Sequence, residues 1–163
     1  LRLPRLVPKQ GHDRALEKAS QEAETGRRLA MYDRETGLYA HWYLARRFEE
    51  EAKRSERYSR PLSVIAIEVM GADAYRVQAE LRDWLDQLLR STDMASHLGG
   101  GRYLALLTET VLDDASAIAA RIAERFSQSV SIGLGCFPED GDSLEAVQKV
   151  AERRSHTNWR LAV

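Results

Sequence analysis

Apolar and polar positions along the chain change period several times, and each change marks an element. From Asp13 onward, Leu16, Ala19, Ala23, Gly26 and Ala30 recur three and four apart, which predicts a helix with a narrow seam of small residues. Such a seam suits pairing with a second copy of itself, and it equally suits a solvated connector helix with an alanine-rich face. Asp33-Arg34-Glu35-Thr36-Gly37 reads as a turn, and a second helix follows with Leu38, Trp42, Ala45, Phe48 and Ala52 on one face. After Pro61 the run Leu62-Ser-Val-Ile-Ala-Ile-Glu-Val69 is apolar on both faces except at Glu68, the pattern of a central strand covered on both sides. Val77, Leu81, Trp84, Leu85 and Leu88 predict an amphipathic helix ending near Arg90.

Residues 93–98 and 102–107 read as two strands of a hairpin around Gly99-Gly100-Gly101. Thr110 with Asp113 resembles a capping box for a helix that carries Ala115, Ile118, Ala119, Ile122 and Phe126. Val130, Ile132, Leu134 and Cys136 alternate with Ser131, Gly133 and Gly135 as a strand with one crowded face. Asp142 with Glu145 is expected to cap a last helix through about Arg154, and Trp159, Leu161 and Val163 alternate as a final strand. The inner six elements spell β-α-β-β-α-β, so the fold class is α+β, a ferredoxin-like antiparallel sheet with helices on one face, preceded by a connector helix. Residues 1–30 are expected to form a linker, marked by Pro4 and Pro8, and that connector helix; residues 31–163 form the domain.

Composition narrows the function. Basic and acidic residues number 24 and 25 in 163, so nothing favours tracking a nucleic-acid backbone. The single Cys136 excludes a disulfide framework and a thiolate zinc site, and reads as a small core side chain. The four histidines, His12, His41, His97 and His156, share no ligand spacing. No apolar run approaches the roughly 18 residues of a membrane span. The first methionine is Met31, so the chain reads as a piece of something longer.

Several landmarks carry a family resemblance. They are Asp33-x-x-Thr36-Gly37-Leu38, Arg60-Pro61-Leu62-Ser63, Ser131-Ile132-Gly133 and Pro138-x-Asp140-Gly141, in that order. From about Met31 to Val163 the chain resembles a GGDEF domain, the diguanylate cyclase fold that makes cyclic di-GMP from two GTP. An active member holds two magnesium ions on carboxylates, one at the end of the first strand and one in the hairpin signature. Here the signature reads Gly99-Gly100-Gly101-Arg102-Tyr103, so glycine and arginine stand where the acidic pair is expected. Glu68 is the one candidate ligand at the strand end, and a single carboxylate makes a poor magnesium site. Glu68 also reads simply as a solvent-facing strand end.

Other expected groups are absent too. The stretch from Gly71 to Leu98 is too short for the family's guanine-reading loop, its C-terminal lysine aligns with Trp159, and Ala40-His41-Trp42 replaces its Asn-Arg-Arg. His97 lies where the family often has an arginine. The resemblance therefore implies a degenerate domain that is not an enzyme and uses no cofactor.

One family feature survives. The inhibitory site is an Arg-x-x-Asp five residues ahead of the signature glycines, and Arg90-Ser91-Thr92-Asp93 occupies that register, with Arg121 at the position of the site's second arginine. Arginine offers a fork to guanine O6 and N7, and a carboxylate accepts from guanine N–H groups. With 20 Arg and 10 Asp, chance alone supplies about one such tetrad. Arg90 also reads as a helix-end cation and Asp93 as a turn residue. The expected function is a cyclic di-GMP receptor with Arg90, Asp93 and Arg121 as its site. The alternative is a nucleotide-independent dimerisation or scaffold module that recruits a protein partner. Neither a nucleic-acid polymer nor a membrane is an expected partner of this piece, and the resemblance implies a bacterial cytoplasmic setting.

Overall fold

The computed structural model describes residues 10–155. Residues 1–9 of the linker expected through Gly11, His156 and the expected final strand at Trp159, Leu161 and Val163 lie outside the described residues, and the helix already begins at Gln10. The chain runs α1 (Gln10–Ala30), α2 (His41–Tyr58), β1 (Leu62–Val69), α3 (Ala74–Leu88), β2 (Met94–Gly99), β3 (Arg102–Thr108), α4 (Leu112–Phe126), β4 (Val130–Phe137) and α5 (Leu144–Arg153). The four strands form one antiparallel sheet in the order β2-β3-β1-β4. This is the α+β arrangement expected from the alternation of periods.

Helices cover both faces of the sheet, which overturns the one-faced ferredoxin-like layering expected from element order and agrees with the doubly covered strand expected at β1. Ile65, Ile67 and Val69 of β1 pack with Val77, Leu81 and Leu85 of α3 and with Ala119 and Ile122 of α4. Leu62, Val64 and Ala66, pointing the other way, pack with Leu44 and Phe48 of α2 and with Leu144, Val147 and Ala151 of α5. Two covered faces are what the nearly unbroken apolar run of β1 requires.

The glycines of β4 make the second layer possible. A Cβ on Gly133 would stand 1.8 Å from the carbonyl oxygen of Ala151, and one on Gly135 would stand 2.7 Å from that of Val147. The α5 backbone therefore rests directly on the β4 backbone.

Three local expectations are corrected. The buried face of α2 carries Leu44, Phe48, Glu51 and Ser55, while Trp42 is half exposed. Glu51 can sit on that face because Arg47 and Arg54 both donate to its Oε1 at 3.2 Å, and Trp42 instead donates its indole N–H to Ala30 O at 3.0 Å. Thr110 does not cap α4: Val111 is the N-cap, without a side-chain bond. Ser143, rather than Asp142, caps α5 by accepting from Ala146 N.

Ser127, at the end of α4, has φ 50° and ψ −127°, a combination open without strain only to glycine. Ser127→Gly is expected to stabilise the fold by about 1 kcal/mol. An unchanged or lower denaturant midpoint would contradict this.

Candidate ligand site

The turn between α3 and β2 is built around one carboxylate. After Leu88 the backbone becomes extended, and Asp93 reaches back to accept from the Arg90 backbone N–H at 3.0 Å on Oδ2. The same Oδ2 accepts from Arg90 Nε at 3.2 Å, and Oδ1 accepts from Arg90 Nη2 at 3.3 Å. Thr108 N, at the end of β3, also donates to Oδ1, at 3.1 Å. The Asp93 side chain is only 1% exposed. Hydrogen bonds from Arg90 and Thr108 offset the cost of burying its charge.

Arg90 is gripped from a second side. Its Nη2 donates at 2.7 Å to Thr108 O and at 2.7 Å to Thr110 Oγ1, and Thr110 is itself buried. The hydrogen bonds and charge of Asp93 hold the guanidinium above its ordinary pKa. The Arg90 side chain nonetheless remains 57% exposed, and its Nη1 makes no hydrogen bond among the described residues. The structure thus joins Arg90 and Asp93 directly.

Arg121 is not part of this cluster. It lies exposed on α4, between two and three turns beyond Leu112 and about 14 Å along the axis at 1.5 Å per residue. It forms no hydrogen bond or ion pair among the described residues. Thr108 and Thr110 were missed as members of the cluster by sequence reasoning. Their polar alternation at a strand end was visible, but the partner that gives Thr110 its role lies 20 residues away.

The glycine hairpin forms a separate site at the other end of β1. Gly99, Gly100 and Gly101 have φ of 87°, 61° and 76°, and Gly101 O accepts from Val69 N at 2.8 Å. Arg102 stands opposite Glu68 in the β1–β3 register, and both are exposed. With Tyr103, Glu152 and Ser155 they line a cavity of about 250 Å³. Tyr103 is buried, packs at a tilt of 36° against His97 with centroids 4.9 Å apart, and donates to Gln78 Oε1.

These residues do not suit magnesium. Gly101 brings no oxygen ligand from a side chain, and Arg102 sets a cation opposite the one nearby strand carboxylate. Among the described residues no three of His, Cys, Asp and Glu come together to hold a metal.

Two other sequence candidates have structural places. Asp33 accepts from Thr36 Oγ1 at 2.7 Å and lies 3.4 Å from His97 Nδ1, which ties the turn before α2 to β2. Cys136 lies 3.4 Å from Asp140 Oδ2; burial and that carboxylate push its thiol up to about 12, so it is protonated at neutral pH. Asp140 also receives both ends of the Arg154 guanidinium, at 2.8 and 2.7 Å, and so fastens the end of α5 to the turn after β4.

The chain belongs to the GGDEF-like domain family, whose model matches residues 57–146. Among curated proteins it is similar to the response regulator PleD of Caulobacter vibrioides, 26% identical over 148 residues and covering 76% of this chain. The chain spans about a third of that relative's length, 33%. The fold is shared with the coiled coil and GGDEF domain of DgcB from Caulobacter crescentus, solved in complex with c-di-GMP. The TM-score is 0.77 at 12% identity, covering 88% of each chain. A sensory box/GGDEF family protein from Caulobacter crescentus CB15 gives a TM-score of 0.69 at 19% identity, covering 82% of this chain and 100% of that one. No helix among the described residues is long and apolar enough to cross a membrane.

Proposed function

We propose that this chain is a GGDEF-like domain without cyclase activity that acts as a receptor for cyclic di-GMP. In this reading residues 31–163 are the binding domain, and residues 1–30 are the linker and connector helix that passes occupancy onward. The observation that carries it is Arg90, a rigidly held guanidinium with an unused Nη1 edge at the surface, in the register of the family's inhibitory site. Arg121 supplies a second, unpaired cation for an elongated, doubly charged ligand, and Asp93 acts through Arg90 by fixing its position. The loss of cyclase activity is supported by the hairpin, where Gly101 and Arg102 offer no carboxylate to a metal.

One observation favours the second reading, a dimerisation or scaffold module. Every residue of α1 from Asp13 to Ala30 is exposed, so the domain covers no part of the seam, which is left open to a second copy.

Incubation with GTP and magnesium is expected to yield no cyclic di-GMP, while calorimetry with cyclic di-GMP gives a saturable heat. Arg90→Ala should weaken binding roughly ten- to hundredfold, and Arg121→Ala should weaken it less. Product formation would overturn the first half of the proposal. No heat at high micromolar ligand would remove the receptor and leave the scaffold.

A further inference from the structure

We infer that Thr110 is a positioning residue for the ligand site: its hydroxyl, anchored on the start of β1, aims the Arg90 guanidinium, and Pro61 and Ser63 act on the ligand through it. This rests on the receptor reading above and concerns what holds that receptor's arginine in place.

A guanidinium is flat, so fixing two of its three nitrogens fixes the direction of the third. Asp93 holds Arg90 along one edge, at Nε and Nη2, with contacts of 3.2 and 3.3 Å. Those distances lie beyond the usual range for charged pairs, and two contacts along one edge leave the group free to rock. The shorter contacts come from the return of β3: Thr108 O and Thr110 Oγ1 each accept from Nη2 at 2.7 Å. Together the two sides fix the guanidinium and leave Nη1 as its free end.

Thr110 is oriented to accept because its own proton is already engaged. Its hydroxyl donates to Thr108 O at 2.8 Å, which leaves its lone pairs to Nη2.

The backbone of Thr110 is fixed in turn by the start of β1. Its N–H donates to Pro61 O at 3.2 Å, and its carbonyl accepts from Ser63 Oγ at 2.7 Å. Ser63 and Thr110 are both buried, so water does not compete for these bonds. A line of hydrogen bonds therefore runs from Ser63 through Thr110 to Arg90. It gives the Arg60-Pro61-Leu62-Ser63 landmark a part in binding at a distance from the ligand.

The test is calorimetry of the full chain with cyclic di-GMP. Thr110→Val removes the hydroxyl and keeps the shape, and it is expected to weaken binding about three- to tenfold, the effect of one net hydrogen bond. Thr110→Ser keeps the hydroxyl and should bind within about twofold of the wild type. In an Arg90→Ala background Thr110→Val should cost nothing further, because a residue that acts through Arg90 has nothing left to aim. A merely structural role would weaken binding equally in both backgrounds. Ser63→Ala frees the Thr110 carbonyl and should weaken binding by a smaller factor; it reads the same line of bonds if Thr110→Val does not fold. Wild-type affinity in Thr110→Val, or an equal further loss in the Arg90→Ala background, would overturn the inference and leave the receptor intact. No heat from the wild-type chain would remove the receptor itself, and the inference with it.

Discussion

Gly133→Ala is expected to unseat α5 and to be among the most damaging single-methyl additions to this fold. The new Cβ would meet the Ala151 carbonyl oxygen at 1.8 Å, its carbon at 2.9 Å and Ser155 N at 2.9 Å, all backbone atoms. No rotamer change relieves such a contact. The helix would have to retreat by roughly 1.5 Å to recover van der Waals distance, and it would loosen Leu144, Val147 and Ala151 from the core. Overpacking usually costs about 1–3 kcal/mol, and this rigid case should reach about 3–5 kcal/mol, a large share of a small domain's stability. Gly135→Ala should cost less, because one of its close neighbours is the side-chain atom Val147 Cγ1 at 2.9 Å. Denaturant unfolding of both variants tests the ordering. A wild-type midpoint for Gly133→Ala would show that α5 does not sit as close as described.

Removing the Asp93 carboxylate should produce the second large loss. Asp93→Ala deletes the acceptor for the Arg90 backbone N–H, for two guanidinium donors and for the Thr108 N–H. The Thr108 amide is then left buried at the end of β3, and Arg90 is held only by Thr108 O and Thr110 Oγ1. An unsatisfied buried donor and a broken charged pair together should cost about 2–4 kcal/mol. Asp93→Asn keeps one carbonyl acceptor and should recover part of that loss. Urea midpoints for the two variants measure it, and a stability change below about 1 kcal/mol in Asp93→Ala would mean that the carboxylate contributes little to the fold.

How much of this was legible in the sequence depended on how local each cause is. β1 announced its double coverage through its own composition, and the periods of α3 and α4 named the side chains that fill one face. Gly133 and Gly135 were visible as small residues on one face of a strand, but the helix residues that rest on them, Ala151 and Val147, are 18 and 12 residues downstream. The α2 face was misjudged because Glu51 looks like a solvent residue until Arg47 and Arg54 are seen closing over it. In the candidate site, Arg90 and Asp93 could be picked out by spacing. That their polar groups turn toward each other, with Thr110 completing the grip, follows only from the return of β3 beside the α3–β2 turn.

Helix α1 is held to the rest of the chain at one end. Ala30 O receives the Trp42 indole, Ala40 N donates to Met31 O at 2.8 Å, and the Asp33 turn is tied to β2 through His97. Beyond that grip the helix is a lever of 21 residues, about 31 Å long. A tilt of about 10° at the fulcrum swings its far end by about 5 Å, close to one helical pitch. β2, which begins directly after Asp93, touches this fulcrum through His97, so a change of angle there would be enlarged by the full length of the lever.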